Sequence, residues 1–345
     1  MKIVKRETFS FDDVLLVPQF SDIKSRSEIN LEVQIPRIDQ SLRIPVISSP
    51  MDTVTESDMA TLMSNAGGLG IIHRYNTIAQ QSQQVYETAK SNPGSVVAAA
   101  VGITGTYLDR CESAIESGTR ILCIDVAHGH HILVEKSVKR IRERFGDSIH
   151  IMAGNVATLE AFNALSDWGV DSIRVGIGGG SICSTRTQTG HGLPTLQSVI
   201  DCSVSDRPAL LIADGGIRSS GDMVKSLAAG ADLVMVGSLL AGSDEAPGHV
   251  LRGPGGKQYK MYRGMASSEA QIQWRGKVSS LEGVSTLIEA KGDATQIINN
   301  LERGIRSGLS YSGARTVGEL QCKSEFVYQT APGAIESTAH INRVN

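Results

Sequence analysis

Eight short aliphatic runs recur along this chain of 345 residues, and polar or glycine-rich turns and helical patterns separate them. Continuous apolar runs of this length are typical of strands buried on both faces, as in parallel sheets. Length alone allows one domain or two, but eight such units predict a single (β/α)8 TIM barrel over residues 1–345. Helices are predicted at 135–144 and 159–168. The eight runs are residues 45–48, 68–73, 96–101, 121–126, 150–154, 172–175, 209–213 and 232–236.

Composition argues against several classes of protein. Lys and Arg total 33 against 36 Asp and Glu, a net charge of −3, so the basic footprint of a nucleic-acid-binding protein is missing. No apolar run approaches the ~18 residues of a membrane helix, and the amino-terminal stretch does not resemble a signal peptide. Five cysteines without a CxxC pair favour a reducing compartment. We therefore expect a cytoplasmic protein without nucleic-acid or membrane partners.

The segment after the sixth run, residues 175–192, combines a cluster of glycines with one cysteine. Backbone rich in glycine can fold tightly and point its N–H and C=O groups at a ligand. Cys183 lies in this polar loop near Arg186, and a thiol close to a cation is a candidate nucleophile. The alternative is a structural cysteine in a glycine-rich turn, and these residues alone favour neither.

Glycines also follow the seventh and eighth runs, at residues 213–222 and 236–242. In many barrels these two loops bind a phosphate through backbone N–H groups. Asp214 ends the seventh run, where its carboxylate could accept hydrogen bonds from a ribose diol. Ordinary strand–helix turns are the alternative interpretation of both loops.

The loop after the fourth run places three histidines near Asp125. Histidines at this density could indicate a metal site, but no matching carboxylate–histidine spacing supports one. Asp125, at the carboxyl end of a predicted strand, is the better functional candidate. The histidines are His128, His130 and His131.

Residues 261–292 interrupt the alternation of strands and helices. They are polar, poor in apolar periodicity, and follow the eighth unit. We predict a long loop here, and long loops in compact domains are often functional lids. The segment is therefore expected to be a mobile flap.

Several longer motifs together resemble one family. They are FDDVLLVP (11–18), SSPMDTV (48–54), GLGIIHR (68–74), AGNVAT (153–158), GSICSTR (180–186), ADGGIRSSGD (213–222), VMVGSLLAG (234–242) and KMYRGM (260–265). These motifs are similar to those of the inosine monophosphate dehydrogenase / guanosine monophosphate reductase superfamily, over residues 7–340. The resemblance implies a barrel with an active-site flap at its carboxyl-terminal face. It also implies that a Cys183 thiolate attacks C2 of a purine nucleotide.

Two features of the chain favour the reductase branch of this family. Residues 75–93 alone separate the second and third runs, which leaves no room for the paired CBS regulatory modules that the dehydrogenases usually insert there. Residues 266–292 lack the Arg-Tyr pair with which the dehydrogenase flap activates the hydrolytic water. Glu282 instead matches the reductase glutamate, which acts with a threonine, here Thr185, to protonate the departing amine.

A third feature lies near the amino terminus, where residues 22–29 resemble the reductase segment that reaches NADPH. The resemblance therefore implies NADPH-dependent reductive deamination of GMP to IMP and ammonia through a covalent Cys183 adduct. NADH or NAD is the alternative dinucleotide. A potassium ion and a homotetramer are also implied.

The resemblance assigns the site residue by residue. The catalytic residues are Cys183, Thr185 and Glu282. The substrate residues are Ser49, Met51, Ser181, Asp214, Gly215, Gly216, Gly237, Ser238, Tyr262, Arg263, Gly264, Met265 and Gly283. The dinucleotide residues are Ser25, Arg26, Arg74, Asp125, Val126, Ala127, Asn155 and Gly178. The potassium ligands, mainly backbone carbonyls, are Gly178, Gly180, Cys183 and Arg186.

The chain also departs from the reductase pattern. Gly179 stands where the family usually has proline, the flap is several residues shorter, and the arginine near the guanine edge has no clear match, with Arg275 or Lys277 as substitutes. The tail, residues 333–340, looks more like a dehydrogenase. Two alternatives therefore stay open: a dehydrogenase without regulatory modules that converts IMP to XMP with NAD, and a non-catalytic nucleotide-binding paralogue.

Overall fold

Eight parallel strands close into a barrel, and each of them lies within or overlaps one of the eight aliphatic runs. The predicted (β/α)8 barrel is therefore confirmed. The computed structural model describes residues 6–337, so residues 1–5 and 338–345 of the predicted domain, with the end of the dehydrogenase-like tail, lie outside the described part. The strands are β1 Val14–Leu16, β2 Val33–Ile35, β3 Gln40–Leu42, β4 Val46–Ser48, β5 Leu69–Ile72, β6 Ala98–Val101, β7 Ile121–Asp125, β8 His150–Val156, β9 Ser172–Val175, β10 Leu210–Asp214, β11 Leu233–Val236, β12 Leu251–Arg252, β13 Gln258–Arg263, β14 Ser285–Glu289 and β15 Phe326–Tyr328.

Strands β4 to β11 form the barrel in chain order, and β11 pairs with β4 to close it, with Val234 opposite Val46. Side chains alternate between the barrel interior and the surrounding helices, because successive residues of a strand point to opposite faces. The helices are α1 Ser57–Asn65, α2 Ile78–Ser91, α3 Tyr107–Glu116, α4 Ile132–Phe145, α5 Leu159–Asp167, α6 Thr185–Thr189, α7 Thr195–Ser203, α8 Ser220–Ala228, α9 Ser268–Arg275, α10 Ala294–Tyr311, α11 Val317–Lys323 and α12 Ala331–Glu336.

Both helices predicted from the sequence are present. α4 contains the predicted 135–144 and extends beyond it at both ends. α5 begins after Thr158, whose side chain accepts a hydrogen bond from the Ala161 N–H at 3.3 Å, and it ends before Gly169, which has φ 100°. An N-cap threonine and a glycine just beyond the last turn are common helix boundaries.

A hairpin of β2 and β3 covers the amino-terminal end of the barrel. Ile35 and Leu42 on this hairpin belong to the same buried cluster as the interior side chains of the barrel strands, including Ile71 and Met235. The amino-terminal end is therefore filled with apolar side chains. The open end is the carboxyl-terminal one, where active sites of such barrels form.

The prediction of one long loop at 261–292 is wrong. This part of the chain contains α9, capped by Ser267 at its start and Gly276 at its end, and β14, which pairs antiparallel with β13. It also lies inside the eighth unit, between β11 and α10, and not after it. The periodicity was weak because α9 is only eight residues long and the outer face of the β13–β14 ribbon is exposed.

Two further expectations concern domain organisation and membranes. The stretch between β5 and β6 is occupied by α2, and the single-domain organisation itself stays a prediction. Over residues 6–337, no helix has both the length and the apolar character needed to cross a bilayer.

Candidate active site

A cavity of about 460 Å³ opens at the carboxyl ends of the barrel strands. Loops after β4, β9, β10 and β11 form it together with the segment that carries α9. This volume lies within the range of ligand pockets in proteins. Most of the predicted site residues line it: Ser49, Met51, Arg74, Asp125, Val126, Ala127, Asn155, Gly178, Gly180, Ser181, Cys183, Thr185, Asp214, Gly215, Gly216, Gly237, Ser238, Tyr262, Gly264, Met265 and Glu282.

Three of these side chains form a hydrogen-bonded relay. The Cys183 thiol donates to Thr185 Oγ1 at 3.1 Å, and the Thr185 hydroxyl donates to Glu282 Oε2 at 2.9 Å. Cys183 is exposed to the cavity, so its sulfur is accessible to a ligand. The relay connects a nucleophile to a carboxylate through one hydroxyl, an arrangement that can move a proton next to the reacting sulfur.

The other cysteines differ in environment. Burial raises the pKa of Cys111, Cys123 and Cys202 to about 12, so these thiols stay protonated and unreactive. Cys322 is exposed but lies on α11, and it does not line the cavity.

Backbone pairing fixes Glu282 against the cysteine loop. Cys183 and Gly283 form an isolated antiparallel bridge, in which the Ser184 N–H donates to the Glu282 carbonyl at 2.9 Å. The Val284 N–H donates to the Ile182 carbonyl at 3.0 Å. The relay therefore depends on two main-chain hydrogen bonds between segments about a hundred residues apart.

Close backbone approach explains the glycines of the cysteine loop. A Cβ on Gly179 would lie 2.3 Å from Thr195 Oγ1, at the start of α7, and one on Gly216 would lie 3.0 Å from the Gly179 carbonyl oxygen. The loops after β9 and β10 thus pack directly on each other. A side chain at residue 179 would push the cysteine loop towards the cavity or distort it.

Arg174 is a site residue that the sequence analysis missed. It points into the upper barrel from β9 with 7% exposure, and it bridges two predicted ligand-binding carboxylates. Its NH1 donates to Asp125 at 2.6 Å, and its Nε and NH2 donate to Asp214 at 3.0 and 2.9 Å. Burial lowers the pKa of Arg174, but the carboxylates of Asp214 and Asp125 outweigh burial and raise it well above its ordinary value. The available sequence signal was a charged side chain inside the predicted buried strand at 172–175.

The predicted nucleotide-phosphate residues Tyr262 and Arg263 have different surroundings. The Tyr262 hydroxyl lies 3.3 Å from Ser181 Oγ in the cavity wall, and burial raises its pKa. The Arg263 guanidinium instead donates to Asp52 Oδ2 at 2.6 Å and to Gln273 at 2.7 Å, outside the cavity lining. Its side chain therefore anchors the flap to the loop after β4.

Aromatic stacking also attaches the flap to the barrel. The rings of Tyr75 and Trp274 stack at 4.1 Å with an interplanar angle of 16°. The guanidinium of Arg275 lies 4.2 Å from the centre of the Trp274 ring, and that of Arg74 lies 5.4 Å from it. Tyr75, Arg74 and Arg275 all line the cavity, so this stack forms part of its rim.

A family model described as the IMP dehydrogenase / GMP reductase domain matches residues 8–340. The chain belongs to this family. The GMP reductase of Trypanosoma brucei, solved in complex with guanosine 5'-monophosphate, is 29% identical with a TM-score of 0.90, covering 97% of this chain and 98% of the other. An inosine-5'-monophosphate dehydrogenase of Cryptosporidium parvum is 35% identical over 384 positions, 96% of this chain and 94% of that protein. A GMP reductase of Leishmania major is 29% identical over 478 positions, 97% of both chains.

The alignments with these IMP dehydrogenase / GMP reductase relatives differ in length. The alignment with the Leishmania reductase exceeds the 345 residues of this chain by 133 positions, and that with the Cryptosporidium dehydrogenase exceeds them by 39. The longer of these two alignments is with a relative named as a reductase, and the shorter is with one named as a dehydrogenase. Alignment length therefore does not separate the two activities.

Five predicted site residues do not line the cavity of this family member: Arg263, described above, and Ser25, Arg26, Arg186 and Gly283. Ser25 caps the 3-10 turn Arg26–Glu28, which packs against α10. The Arg186 NH2 donates to the carbonyls of Ile177 and Leu193 inside the cysteine loop. Within the described residues, no cluster of three or more histidine, cysteine or acidic side chains could hold a metal.

Proposed function

We propose that this chain is a GMP reductase, which converts GMP to IMP and ammonia with NADPH through a covalent thioimidate on Cys183. The relay from Cys183 through Thr185 to Glu282 carries the proposal. It places an acid–base pair beside the nucleophile, where the departing amine of GMP would need a proton. Without protonation the amine would leave as an amide anion, which is a very poor leaving group.

The reaction divides into two displacements at C2 of the purine. In the first, the Cys183 sulfur bonds to C2, a proton passes from Glu282 through Thr185 to the amine, and the C2–N bond breaks to release ammonia. Bound NADPH supplies the hydride that forms the new C2–H bond. In the second, the S–C2 bond breaks, and its electron pair returns to Cys183 as a thiolate and leaves IMP. Covalent attachment splits one difficult displacement into two easier ones.

The nucleotide would bind across the β10 and β11 loops. Asp214 Oδ1 receives no hydrogen bond from residues 6–337 and faces the cavity, which suits a ribose diol. Backbone at Gly216, Gly237 and Ser238, with the Tyr262 hydroxyl, would hold the phosphate. Met265 and the flap would cover the purine.

The dinucleotide would occupy the side of the cavity formed by Arg74, Asp125, Val126 and Ala127. These residues fit it, because Asp125 Oδ2 accepts no hydrogen bond within the described residues and could bind a second ribose. Ser25 and Arg26 lie at the 3-10 turn that packs against α10 and do not line the cavity of their own chain. The homotetramer is therefore part of the proposal, with Ser25 and Arg26 reaching a dinucleotide held by a neighbouring copy.

The potassium ion also stays a proposal. No hydrogen bond from residues 6–337 reaches the carbonyl oxygens of Gly178 or Cys183, so both are free to coordinate a cation. The Gly180 carbonyl accepts from the Cys183 N–H at 3.1 Å and keeps one lone pair. Potassium bound there would stabilise the cysteine loop. A cytoplasmic location is proposed with the activity.

One specific observation favours the second candidate, a dehydrogenase that oxidises IMP to XMP with NAD. The Cryptosporidium relative named as a dehydrogenase is 35% identical, against 29% for the two reductases. Against it, residues 266–292 contain no adjacent Arg-Tyr pair to activate water.

Two assays on the purified protein separate the candidates. With GMP and NADPH, we expect NADPH oxidation and an equal yield of ammonia. Failure there, together with NAD reduction in the presence of IMP, would establish the dehydrogenase. Tight binding of GMP or IMP without turnover in either assay would identify a non-catalytic paralogue.

A further inference from the structure

One buried guanidinium lies between the two halves of the cavity. Arg174 contacts Asp214, at the end of β10, and Asp125, at the end of β7, although β8 separates β7 from β9. The register explains how it reaches Asp125. Asp125, Gly154 and Arg174 lie in one row across β7, β8 and β9, and Gly154 has no side chain to block the path. A Cβ on Gly154 would lie 2.5 Å from that of Arg174.

In both carboxylates, the hydrogen bonds within the protein reach only one of the two oxygens. Asp214 accepts from Arg174 and from Asn155 through Oδ2, and Asp125 accepts from Arg174 through Oδ1. Within residues 6–337, no hydrogen bond reaches Asp214 Oδ1 or Asp125 Oδ2, although Arg74 Nε lies 3.7 Å from Asp125 Oδ2 as a second ion pair. Each carboxylate therefore has one oxygen that accepts hydrogen bonds from Arg174 and one oxygen that can still accept a hydrogen bond from a ligand.

We propose that Arg174 is a positioning residue shared by the two ligand subsites, so that nucleotide binding at Asp214 and dinucleotide binding at Asp125 are energetically coupled. This inference rests on the proposed function, which assigns one ribose to each aspartate. Arg174 itself need not touch either ligand. It acts by fixing the orientation and the acceptor strength of both carboxylates.

Charge balance gives the direction of the coupling. Arg174 now divides its attraction between two carboxylates. If Asp125 is made neutral, the guanidinium binds Asp214 more strongly, because only one anion is left to compensate a buried cation. Asp214 then becomes a weaker acceptor for the ribose, and the affinity for the nucleotide falls although the change lies in the other subsite. The same argument holds in reverse for neutralising Asp214.

The test measures the binding of GMP and NADP⁺ with every protein carrying Cys183→Ala, so that the covalent step, which needs no hydride, cannot occur. Calorimetry gives both dissociation constants for the full-length protein and for Asp125→Asn, Asp214→Asn and Arg174→Lys. We expect Asp125→Asn to raise the Kd for NADP⁺ at least about tenfold, as for a lost hydrogen bond to a charged group. We expect it also to raise the Kd for GMP about twofold or more. Asp214→Asn should raise the Kd for GMP at least about tenfold and the Kd for NADP⁺ about twofold or more. Arg174→Lys should raise the Kd for both ligands.

A matched control lies at the opposite end of the same strand. Arg142 donates to Asp171 at 2.8 Å just before β9, away from the cavity, so Arg142→Lys removes a comparable contact without touching either subsite. It should leave both dissociation constants unchanged. If Arg174→Lys fails to fold, the two Asn variants, which are nearly isosteric, still decide the question.

Two results would overturn the inference. Each Asn variant could weaken only its own ligand, or Arg142→Lys could weaken both ligands as Arg174→Lys does. A wild-type protein that binds neither GMP nor IMP would overturn the proposed function instead, and this result is distinct from intact binding without cross-effects.

Discussion

The hydroxyl of Thr185 donates a hydrogen bond to the Glu282 carboxylate at 2.9 Å, although the two residues are 97 positions apart in the sequence. The same hydroxyl accepts a hydrogen bond from Cys183 at 3.1 Å. Thr185 therefore lies between the nucleophile and the carboxylate and connects them through two hydrogen bonds. If Glu282 supplies the proton for the departing amine, disrupting the relay should lower kcat and leave substrate binding unchanged.

Glu282→Gln should lower kcat for GMP by about 10²–10⁴-fold, because the amide keeps the hydrogen bond from Thr185 but cannot give up a proton in the same way. KM for GMP should change little. Steady-state kinetics with GMP and NADPH measure both constants. Glu269→Gln is the matched control, since Glu269 is on the same flap and contacts Ser285 instead. Equal losses in the two variants would contradict the role of Glu282.

Cys183→Ala should reduce turnover by at least about 10³-fold while GMP still binds, because the covalent step is lost but the cavity remains. Cys322→Ala should keep full activity, since that thiol is exposed but lies on α11. Alkylation of the folded wild-type protein offers a second readout. Cys183 and Cys322 should both react, and GMP should protect only Cys183. Retained activity in Cys183→Ala would exclude the covalent mechanism.

Gly179→Ala should displace the cysteine loop, because the new Cβ would lie 2.3 Å from Thr195 Oγ1. We expect a loss of about 1–3 kcal/mol in the free energy of unfolding, as for overpacking. A loss in kcat of about 10²-fold follows if the sulfur shifts by about 1 Å. Urea unfolding and steady-state kinetics measure the two effects.

The same contact provides its own control. Thr195 Oγ1 is buried and has no hydrogen-bond partner among the described residues, so Thr195→Ala alone should be nearly neutral. The double variant Gly179→Ala/Thr195→Ala should recover most of the lost stability and activity. A double variant as impaired as Gly179→Ala would show that the collision is not the cause.

Alkaline pH should destabilise the protein through its buried thiols. Burial raises the pKa of Cys111, Cys123 and Cys202 to about 12 in the folded state, against roughly 8.5 in an unfolded chain. Between these values the unfolded state binds fewer protons, so the free energy of unfolding falls as pH rises. The slope is about 1.4 kcal/mol per pH unit for each thiol.

Urea unfolding at a series of pH values above about 8.5 measures this slope. Cys111→Ala should remove about one third of the thiol contribution. Cys322→Ala, at an exposed position, should leave the slope unchanged. An identical slope in Cys111→Ala and wild type would show that this thiol does not titrate on unfolding.

Much of the site could be located from the sequence, because it lies in the glycine-rich loops that follow strands. Cys183 was predicted in such a loop, Asp125 and Asp214 were predicted at the ends of strands, and all three line the cavity. Arg174 was missed, since a single arginine in a run of four residues does not alter an apolar pattern. Arg263 was predicted to bind the substrate, but its guanidinium donates a hydrogen bond to Asp52 instead. Asp52 lies in the loop after β4, and sequence spacing cannot reveal this contact.

The sequence by itself determined the barrel, because the burial of a strand on both faces requires a local apolar run, and eight such runs are visible without any tertiary information. The sequence also located the glycine-rich loop that carries the candidate nucleophile, Cys183. Only the tertiary structure decided which distant side chains meet. Barrel closure and strand register bring Asp125, Arg174 and Asp214 together across the gap at Gly154, and a two-residue bridge brings Glu282 to Thr185. These contacts depend on register between segments far apart in the chain, and local periodicity carries no information about it.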